Sequence, residues 1–385
     1  MSMYWRLSNL YFWFFALIGA LVPYWSLYLE GQGFTYFQIA MLMATIQFTK
    51  IIAPNVWGWL GDHTGSRVRL VRIGALGAGM IFAGVFAHPG FAGLMLVMLG
   101  FTFFWNAILP LYETITLTRL QADRARYGRI RLWGSIGFIL SVTALGALFE
   151  HLSVRYLPWL LMPLFCGIFL STLLIGGDAP VPRKGEHAGG LLARIRQMPV
   201  WAFLVTNILL QVSHGSYYTF FSIHLAQQGY SRLAVGLLWA LGVIAEVVLF
   251  LVMHRLLHRF SLRHIALAAL SLTTLRWCLI AGWSDVLGLL ILAQLMHAAS
   301  YGAMHAMSIQ FIHLHFGPTH QARGQALYGG LSFGAGGAIG AWMAGVLVDW
   351  HGTSAAFWGS AVAIGLGLMV AYIGLRPRPE LAFAN

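Results

Sequence analysis

Long apolar stretches recur along the whole chain, and they constrain its fold more than any other feature. Twelve of them approach or exceed the length that crosses a bilayer as a helix, which is about 20 residues. A membrane β-barrel would instead show short segments of alternating hydrophobicity. The sequence therefore predicts an all-α membrane protein with twelve transmembrane helices. The predicted spans lie at about residues 5–29, 36–60, 70–88, 91–117, 130–150, 155–176, 200–226, 232–255, 264–283, 286–314, 323–349 and 353–375.

The composition agrees with this class of protein. Hydrophobic residues make up 59% of the 385 residues and charged residues 9%, whereas soluble domains carry about 25% charged residues. Cys166 and Cys278 both lie inside apolar runs, which indicates buried thiols rather than a disulfide or a metal site. We expect no metal and no other cofactor.

One polar stretch divides the spans into two groups of six. Residues 177–199, GDAPVPRKGEHAGGLLARIRQMP, are rich in proline, glycine and charge, which is typical of a linker. The expected domains are therefore an N-terminal six-helix bundle over residues 1–176 and a C-terminal six-helix bundle with a short tail over residues 200–385.

The two halves resemble each other. Residues 33–50, GFTYFQIAMLMATIQFTK, align without a gap with residues 229–246, GYSRLAVGLLWALGVIAE. Glycine, aromatic and hydroxyl residues match at the start, and Lys50 meets Glu246 at the end. Pseudo-repeats of this kind are typical of secondary transporters, whose substrate site lies between the halves.

Basic residues collect at one end of the predicted spans. The other end has only Arg155 and Arg232 among its basic residues, beside several acids. The positive-inside rule then places both termini in the cytoplasm. It also explains most of the net charge of +12 without a nucleic-acid partner. The basic residues assigned to the cytoplasmic end are Arg67, Arg69, Arg72, Arg119, Arg124, Arg126, Arg129, Arg131, Arg183, Lys184, Arg194, Arg196, Arg255, Arg259, Arg263, Arg323, Arg376 and Arg378.

The loop after the second span reads GWLGDHTGSRVRL from residue 58. It resembles the signature of the major facilitator superfamily, Gly-x-Leu-Ala-Asp-Arg-x-Gly-Arg-Arg. Gly58, Leu60, Asp62, Gly65 and Arg67 match, while positions 61, 63 and 66 depart. Glycines permit a tight turn, and the aspartate can pair with a basic group or a helix N-terminus and so latch one conformation. These residues are expected to act in gating.

Further stretches resemble the phenylpropionate permease branch of that superfamily, which is related to the lactose permease and to nucleoside–proton symporters. They are residues 127–137, YGRIRLWGSIG, residues 214–218, HGSYY, residues 229–230, and residues 238–246, LWALGVIAE. The resemblance covers essentially the whole chain. It implies a major facilitator fold with two six-helix pseudo-repeats and a proton-coupled importer in a bacterial inner membrane. We expect it to act as a monomer.

Ionisable residues near the middle of three consecutive spans are candidates for proton coupling. Glu246 lies in the eighth span, where an uncompensated charge costs about 2.5–3.5 kcal/mol. It is either part of a structural ion pair or, the preferred interpretation, a site for protons or substrate. Arg276 in the ninth span could hold it ionised until a proton arrives, and His297 or His305 in the tenth could relay that proton. The alternative for both histidines is hydrogen bonding across packed helices. The resemblance to the lactose permease supports the coupling roles.

Polar stripes suggest where a solute binds. The tenth span carries Gln294, His297, Tyr301, His305 and Ser308 on one helical face, and the seventh carries Asn207, Gln211, His214, Tyr218 and Ser222. The resemblance implies that spans 1, 4, 7 and 10 line the cavity. The candidate substrate-binding residues are Tyr24, Tyr28, Lys50, Asn106, Glu113, Gln211, His214, Tyr218 and Tyr301.

Two of these candidates have alternative roles. Lys50 could bind an anionic carboxylate or pair with Glu113 or another buried acid. Glu113 could instead pair with Arg129 or Arg131 at the start of the fifth span. For Glu113 a gating or structural pair is preferred to a role as substrate ligand, so Arg131 is counted with the gating residues.

The sequence therefore predicts a secondary active transporter that moves a small organic solute by alternating access. An aromatic acid such as phenylpropionate is favoured by the resemblance. A proton-coupled exporter and a sugar or nucleoside symporter remain alternatives. An enzyme would need a nucleophile or a metal cluster at one interface, and a receptor would need a sizeable soluble output domain. Neither feature is found in the sequence.

Overall fold

The computed structural model describes residues 2–121, 123, 126–178 and 194–375, and within this part of the chain the structure is helices joined by short turns. Most of the predicted linker, Arg124 and the C-terminal tail lie outside the described residues. The helices are α1 Met3–Gly31, α2 Tyr36–Thr64, α3 Arg67–Phe82, α4 Phe91–Leu120, α5 Arg126–Leu148, α6 Leu157–Leu173, α7 Met198–Gln227, α8 Arg232–Arg259, α9 Leu262–Trp283, α10 Leu287–Leu295, α11 Met304–Leu327, α12 Gly337–His351 and α13 Thr353–Gly374.

Eleven helical segments of the described chain are long and apolar enough to cross a membrane. Their bounds follow the predicted spans closely, which confirms an all-helical membrane protein. The seventh predicted span, α7, is 30 residues long but is not among the eleven. Its polar stripe explains this, because those side chains lower its mean hydropathy. Twelve spans therefore remain a prediction that depends on α7.

The two turns that open the sequence repeat have the same geometry. Gly33 and Gly229 both adopt φ of +84°, a conformation that favours glycine. Two residues later, Thr35 Oγ1 accepts a hydrogen bond from the Gln38 N–H, and Ser231 Oγ accepts one from the Ala234 N–H. These are N-terminal caps of α2 and α8. The aligned sequences therefore fold into matching helix–turn–helix units.

The described chain packs as two compact units. The first contains residues 2–178 and Tyr218–Ala240, and the second contains residues 194–217 and 241–375. Both α7 and α8 thus contribute one segment to each unit. The domain boundaries expected at residues 176 and 200 stay a prediction.

In the first unit, the segment from residue 218 to 240 packs closely against α1 and α5. A Cβ atom on Gly236 would lie 2.6 Å from the Val142 carbonyl oxygen, so only glycine permits this approach. The Tyr24 hydroxyl donates to the same carbonyl oxygen at 2.8 Å. Nearby, Glu150 Oε1 accepts a hydrogen bond from the Leu233 N–H at 2.7 Å.

In the second unit, the helical segments from α10 to α12 are irregular. Two π-helical segments, Ala298–Ala303 and Tyr328–Gly336, interrupt the α-helical pattern. Gly317 breaks α11 with φ of 65° and ψ of 175°. π-Helical turns inside long helices are frequent at functional sites, and the first of them lies next to the predicted coupling residues.

Candidate functional site

The second unit brings the predicted acid and one predicted histidine together. Glu246 Oε2 on α8 lies 3.8 Å from His297 Nε2, and their side chains are 19% and 8% exposed. Gly302 packs closely against the acid, since a Cβ atom there would lie 3.2 Å from Glu246 Cγ. His297 Nδ1 is buried without a hydrogen-bond partner among the described residues. The pair therefore has a carboxylate, an imidazole and a spare ring nitrogen.

Arg276 on α9 is fully buried beside this pair. Its guanidinium donates to Ser300 Oγ at 3.0 Å, to Gln294 Oε1 at 3.4 Å and to a main-chain carbonyl oxygen at 3.0 Å. It also lies over the Tyr217 ring, 4.4 Å from its centre. Neutral oxygens and a π face can hold a buried cation in a fixed position. The fold thereby places a permanent positive charge in the site.

The polar stripe of the tenth predicted span forms one stacked face. Tyr301 stacks between His297 and His305, with ring centres 5.8 Å and 6.1 Å apart. His305 Nδ1 lies 3.4 Å from the Tyr328 hydroxyl. The predicted face therefore persists through the π-helical segment, and it lines up groups that can exchange protons.

The stripe of α7 divides between the two units. Gln211 and His214 are buried in the second unit, and Asn207 Oδ1 there accepts a hydrogen bond from Ser308. Tyr218 belongs to the first unit, where it stacks on Trp239. The stripe was predicted as one substrate-facing surface, but its residues pack in two different units.

Sequence reasoning missed Tyr217. Its hydroxyl donates to Gln294 Oε1 at 3.1 Å, and its ring lies under the Arg276 guanidinium. The predicted stripe selected Tyr218, four residues after His214. A step of three residues, equally consistent with a helix, would have selected Tyr217.

In the first unit, Lys50 is partly buried on α2. Its Nζ atom donates to Gln47 Oε1 at 2.8 Å, and no acidic oxygen of the described residues lies within the 4.0 Å of an ion pair. The alternative that Lys50 pairs with Glu113 is therefore wrong for this structure. The ammonium group keeps donors that a ligand could use.

Glu113 has a tyrosine partner. The Tyr127 hydroxyl donates to Glu113 Oε1 at 3.2 Å. Arg131 instead lies over the Phe15 ring, 3.9 Å from its centre. Among the described residues, neither Arg129 nor Arg131 forms the ion pair with Glu113 that the sequence allowed. Glu113 thus accepts a hydrogen bond from Tyr127 in place of the expected ion pair with an arginine.

Three other candidates have protein contacts of their own. Asn106 Nδ2 donates to the Ile46 carbonyl oxygen and to Thr49 Oγ1, both at 2.8 Å, and so links α4 to α2. The Tyr24 hydroxyl donates to a main-chain oxygen of α5. Tyr28 stacks on Trp25 with ring centres 4.8 Å apart. The amide of Asn106 and the hydroxyl of Tyr24 therefore stabilise helix packing.

The structure places residues 58–64 of the motif in the last turns of α2 instead of in a loop, so the tight turn is confined to Gly65 and Ser66. Asp62 and Arg67 form an ion pair, and Gly65 ends α2 in the left-handed region with φ of 65°. A Cβ atom on Gly58 would meet nothing within 4 Å. Within the described residues, no cluster of His, Cys, Asp and Glu could hold a metal ion.

Known proteins resemble this chain over nearly its full length. The chain is 32% identical to the probable 3-phenylpropionic acid transporter of Escherichia coli (strain K12), over 90% of this chain and 92% of that protein. It is 26% identical to the maltose permease of Geobacillus stearothermophilus, over 86% and 83% of the two chains. Its fold matches a crystal structure of a mutant nucleoside transporter NupG with a TM-score of 0.87 at 17% identity, over 97% of this chain and 100% of that one.

A family model gives the same assignment. The model of the MFS_1 like family matches residues 4–358. The relatives named above are transporters, and the structural neighbour shares the major facilitator fold. This chain therefore belongs to the MFS_1 like family of the major facilitator superfamily, and it is a multi-pass membrane transporter rather than an enzyme.

Proposed function

We propose that this chain imports a small aromatic carboxylic acid together with protons, by alternating access, across a bacterial inner membrane. The observation that carries the proposal is the contact of Glu246 with His297 beside the buried Arg276. The substrate class is supported by the relative described as a 3-phenylpropionic acid transporter. Both termini on the cytoplasmic side and action as a monomer are parts of the same proposal.

Glu246 is the proposed proton acceptor. Its side chain is 19% exposed, while that of His297 beside it is almost fully buried. A carboxylate in a membrane span is costly unless it is paired or protonated. Protonation of Glu246 would remove its attraction to the cations around it, and that change would favour one conformation of the transporter.

Arg276 and the stacked face have supporting roles. Arg276 is positioned by Ser300, Gln294 and Tyr217, so it supplies positive charge without moving. His297 or His305 would pass the proton along the face that contains Tyr301, since imidazole and phenol groups both donate and accept protons.

Lys50 is the proposed partner of the substrate carboxylate. Its ammonium group already contacts Gln47 and has no acidic partner among the described residues. A charged group held in this way can pair with an anionic solute. Tyr28, Gln211, His214, Tyr218 and Tyr301 stay candidates for contacts with the rest of the solute, and Glu113 for gating.

The test uses purified protein in liposomes with an internal pH dye. A panel of aromatic acids, sugars and nucleosides is added, one compound at a time. Internal acidification that an aromatic acid causes in liposomes with the protein, beyond that in protein-free liposomes, would support the proposal. Acidification with only sugars or nucleosides would contradict the substrate class. A solute that leaves the liposomes as protons enter would identify an exporter.

Glu246→Gln tests the proton acceptor in the same liposomes. We expect it to abolish uptake driven by a pH gradient and to keep counterflow exchange, because exchange needs no net proton release. Asp285→Asn, which changes an exposed acid on the turn after α9, should retain both activities. If Glu246→Gln kept gradient-driven uptake, the assignment of the proton acceptor would be wrong.

A further inference from the structure

The sequence repeat pairs the Asp62–Arg67 loop of the first unit with a purely basic loop in the second. The register that aligns Gly33 with Gly229 also aligns Asp62 with His258 and Arg67 with Arg263. In the first unit the arginine has its aspartate. Between Glu246 and Asp285 the sequence contains no acidic residue. The second unit therefore keeps the cations of the motif without the anion.

The basic residues at the end of α8 are close together and exposed. His254, Arg255, His258 and Arg259 all lie on its last two turns, and all are exposed. The positive charge of Arg255 and Arg259 complements the C-terminal end of the helix dipole, but none of the four residues forms an ion pair with an acidic residue in the described chain. An external anion could therefore bind without displacing an internal partner.

Arg263, at the start of α9, also lacks an anion. It donates to the Tyr372 carbonyl oxygen at 2.8 Å, and its guanidinium lies 5.2 Å from the centre of the Tyr372 ring. Its Nε atom is buried without a hydrogen-bond partner among the described residues. Buried donors are usually satisfied by protein, water or ligand, so this nitrogen is a second sign of a missing acceptor.

The basic end of α8 continues an apolar stripe on the same helical face. Ile244, Val248 and Leu251 are 45%, 56% and 70% exposed. Each of these residues lies three or four positions after the one before, and Arg255 follows Leu251 by four. His258 and Arg259 lie three and four residues after Arg255. Positions spaced in this way share one face of a helix. The stripe from Ile244 to Arg255 is about 16 Å long, close to one leaflet of a hydrocarbon core of about 30 Å.

We propose that this face of α8 is a binding site for an anionic phospholipid. Its acyl chain would lie along Ile244, Val248 and Leu251, and its phosphate would contact Arg255, Arg259 and His258. The phosphate would place a negative charge beside His258, the residue that aligns with Asp62 of the first unit. A free phosphate would use only the basic end, whereas the continuous apolar stripe favours the lipid.

The test is a lipid titration of the purified, delipidated full-length chain, followed by native mass spectrometry. We expect phosphatidylglycerol to bind more tightly than phosphatidylcholine. Arg255→Gln combined with Arg259→Gln should weaken phosphatidylglycerol binding about 30-fold, because each basic residue near a membrane surface contributes roughly fivefold. The matched control combines Arg69→Gln with Arg196→Gln, which removes the same charge at two other exposed positions and should leave binding unchanged.

A second pair of variants tests the acyl contact. Leu251→Asn should weaken binding, and Val362→Asn, which changes a similarly exposed residue on α13, should not. Equal binding of both lipids, or equal loss in the charge control, would overturn the proposal. Inorganic phosphate that competes at the affinity of the lipid would also overturn it, since the apolar stripe would then contribute nothing.

Discussion

Arg276 and Lys50 are both cations inside predicted membrane spans, but the fold treats them differently. Arg276 is fully buried and donates to three neutral oxygens. Lys50 is partly buried and, among the described residues, donates to Gln47 alone. A guanidinium with its donors in use acts as a fixed charge, whereas an ammonium with spare donors can bind a ligand. This contrast supports the proposal that Lys50 binds the solute carboxylate.

Lys50→Gln should raise KM for an aromatic carboxylate about 10- to 100-fold, because a hydrogen bond to a charged group contributes about 1.5–3 kcal/mol. Uptake kinetics in liposomes measure this. The neutral amide of the same acid serves as the matched control, and its binding should change little. Equal effects on acid and amide would mean that Lys50 maintains the structure instead of binding the carboxylate.

For single residues, the sequence predicted the level of a side chain along its helix better than it predicted the atoms that side chain contacts. Glu246 and His297 meet as expected because residues at similar depth in neighbouring helices tend to come close. Asn106 was expected to face the solute, but its amide N–H donates to the Ile46 carbonyl oxygen. Main-chain acceptors leave no signal in the sequence. Tyr217 was missed because neighbouring residues on a helix point about 100° apart, and the predicted stripe included Tyr218 instead.

Among the helices, the start of α8 depends on a residue from another element. The first N–H groups of a helix have no partner in their own helix. Glu150, just after α5, accepts the Leu233 N–H at 2.7 Å. The pKa of Glu150 is lowered from its usual value of 4.5 by this hydrogen bond and by further ones from Ser231 and Arg232. The carboxylate thus fixes α8 to α5 within the first unit.

Glu150→Gln should reduce the thermal stability of the protein at neutral pH and have less effect in acid. A carboxyl group whose pKa is lowered in the folded state stabilises it above the ordinary pKa, and the benefit is lost as the pH falls through the folded pKa. The difference in Tm between wild type and variant should therefore stay constant from about pH 7 to about pH 5 and shrink as the pH falls further.

This comparison must account for the other charged groups near Glu150. His151 is adjacent, and Arg232 begins α8. Both proteins can carry His151→Gln, so that they differ only at residue 150. If the two Tm curves stayed parallel from neutral to acid pH, the carboxylate of Glu150 would not be the group that stabilises this contact.

Helices themselves were well predicted, but their irregularities were not. Apolar runs locate the spans because the bilayer sets their length. The π-helical segments Ala298–Ala303 and Tyr328–Gly336 add residues to a turn without changing that apolar pattern. The break at Gly317 likewise lies in a polar region where the spans were expected only to end.

For the whole molecule, the repeat was the most informative feature of the sequence. It aligned Gly33 with Gly229, and both glycines have the same φ of +84° in the structure. It did not predict that residues 218–240 pack with the first unit. That grouping arises from side-chain packing along α7 and α8, which depends on contacts distant in sequence.

The number of spans, and with it the side of each terminus, depends on whether α7 crosses the membrane. Its polar residues are largely buried in protein contacts: Asn207 bonds Ser308, and His214 contacts the Leu210 carbonyl oxygen. A helix whose polar groups are satisfied by protein can cross a bilayer despite low mean hydropathy. We therefore predict that α7 spans the membrane and that both termini lie on the same side.

Single cysteines on either side of α7 test this prediction in a background without Cys166 and Cys278. Arg196→Cys and Gln228→Cys both change exposed residues that flank the helix. A membrane-impermeant maleimide added to intact cells should label position 228 and should label position 196 only after the cells are opened. Labelling of both positions in intact cells, or of neither, would place them on one side. The helix would then not cross the membrane, and the positive-inside assignment of the C-terminal half would have to be reversed.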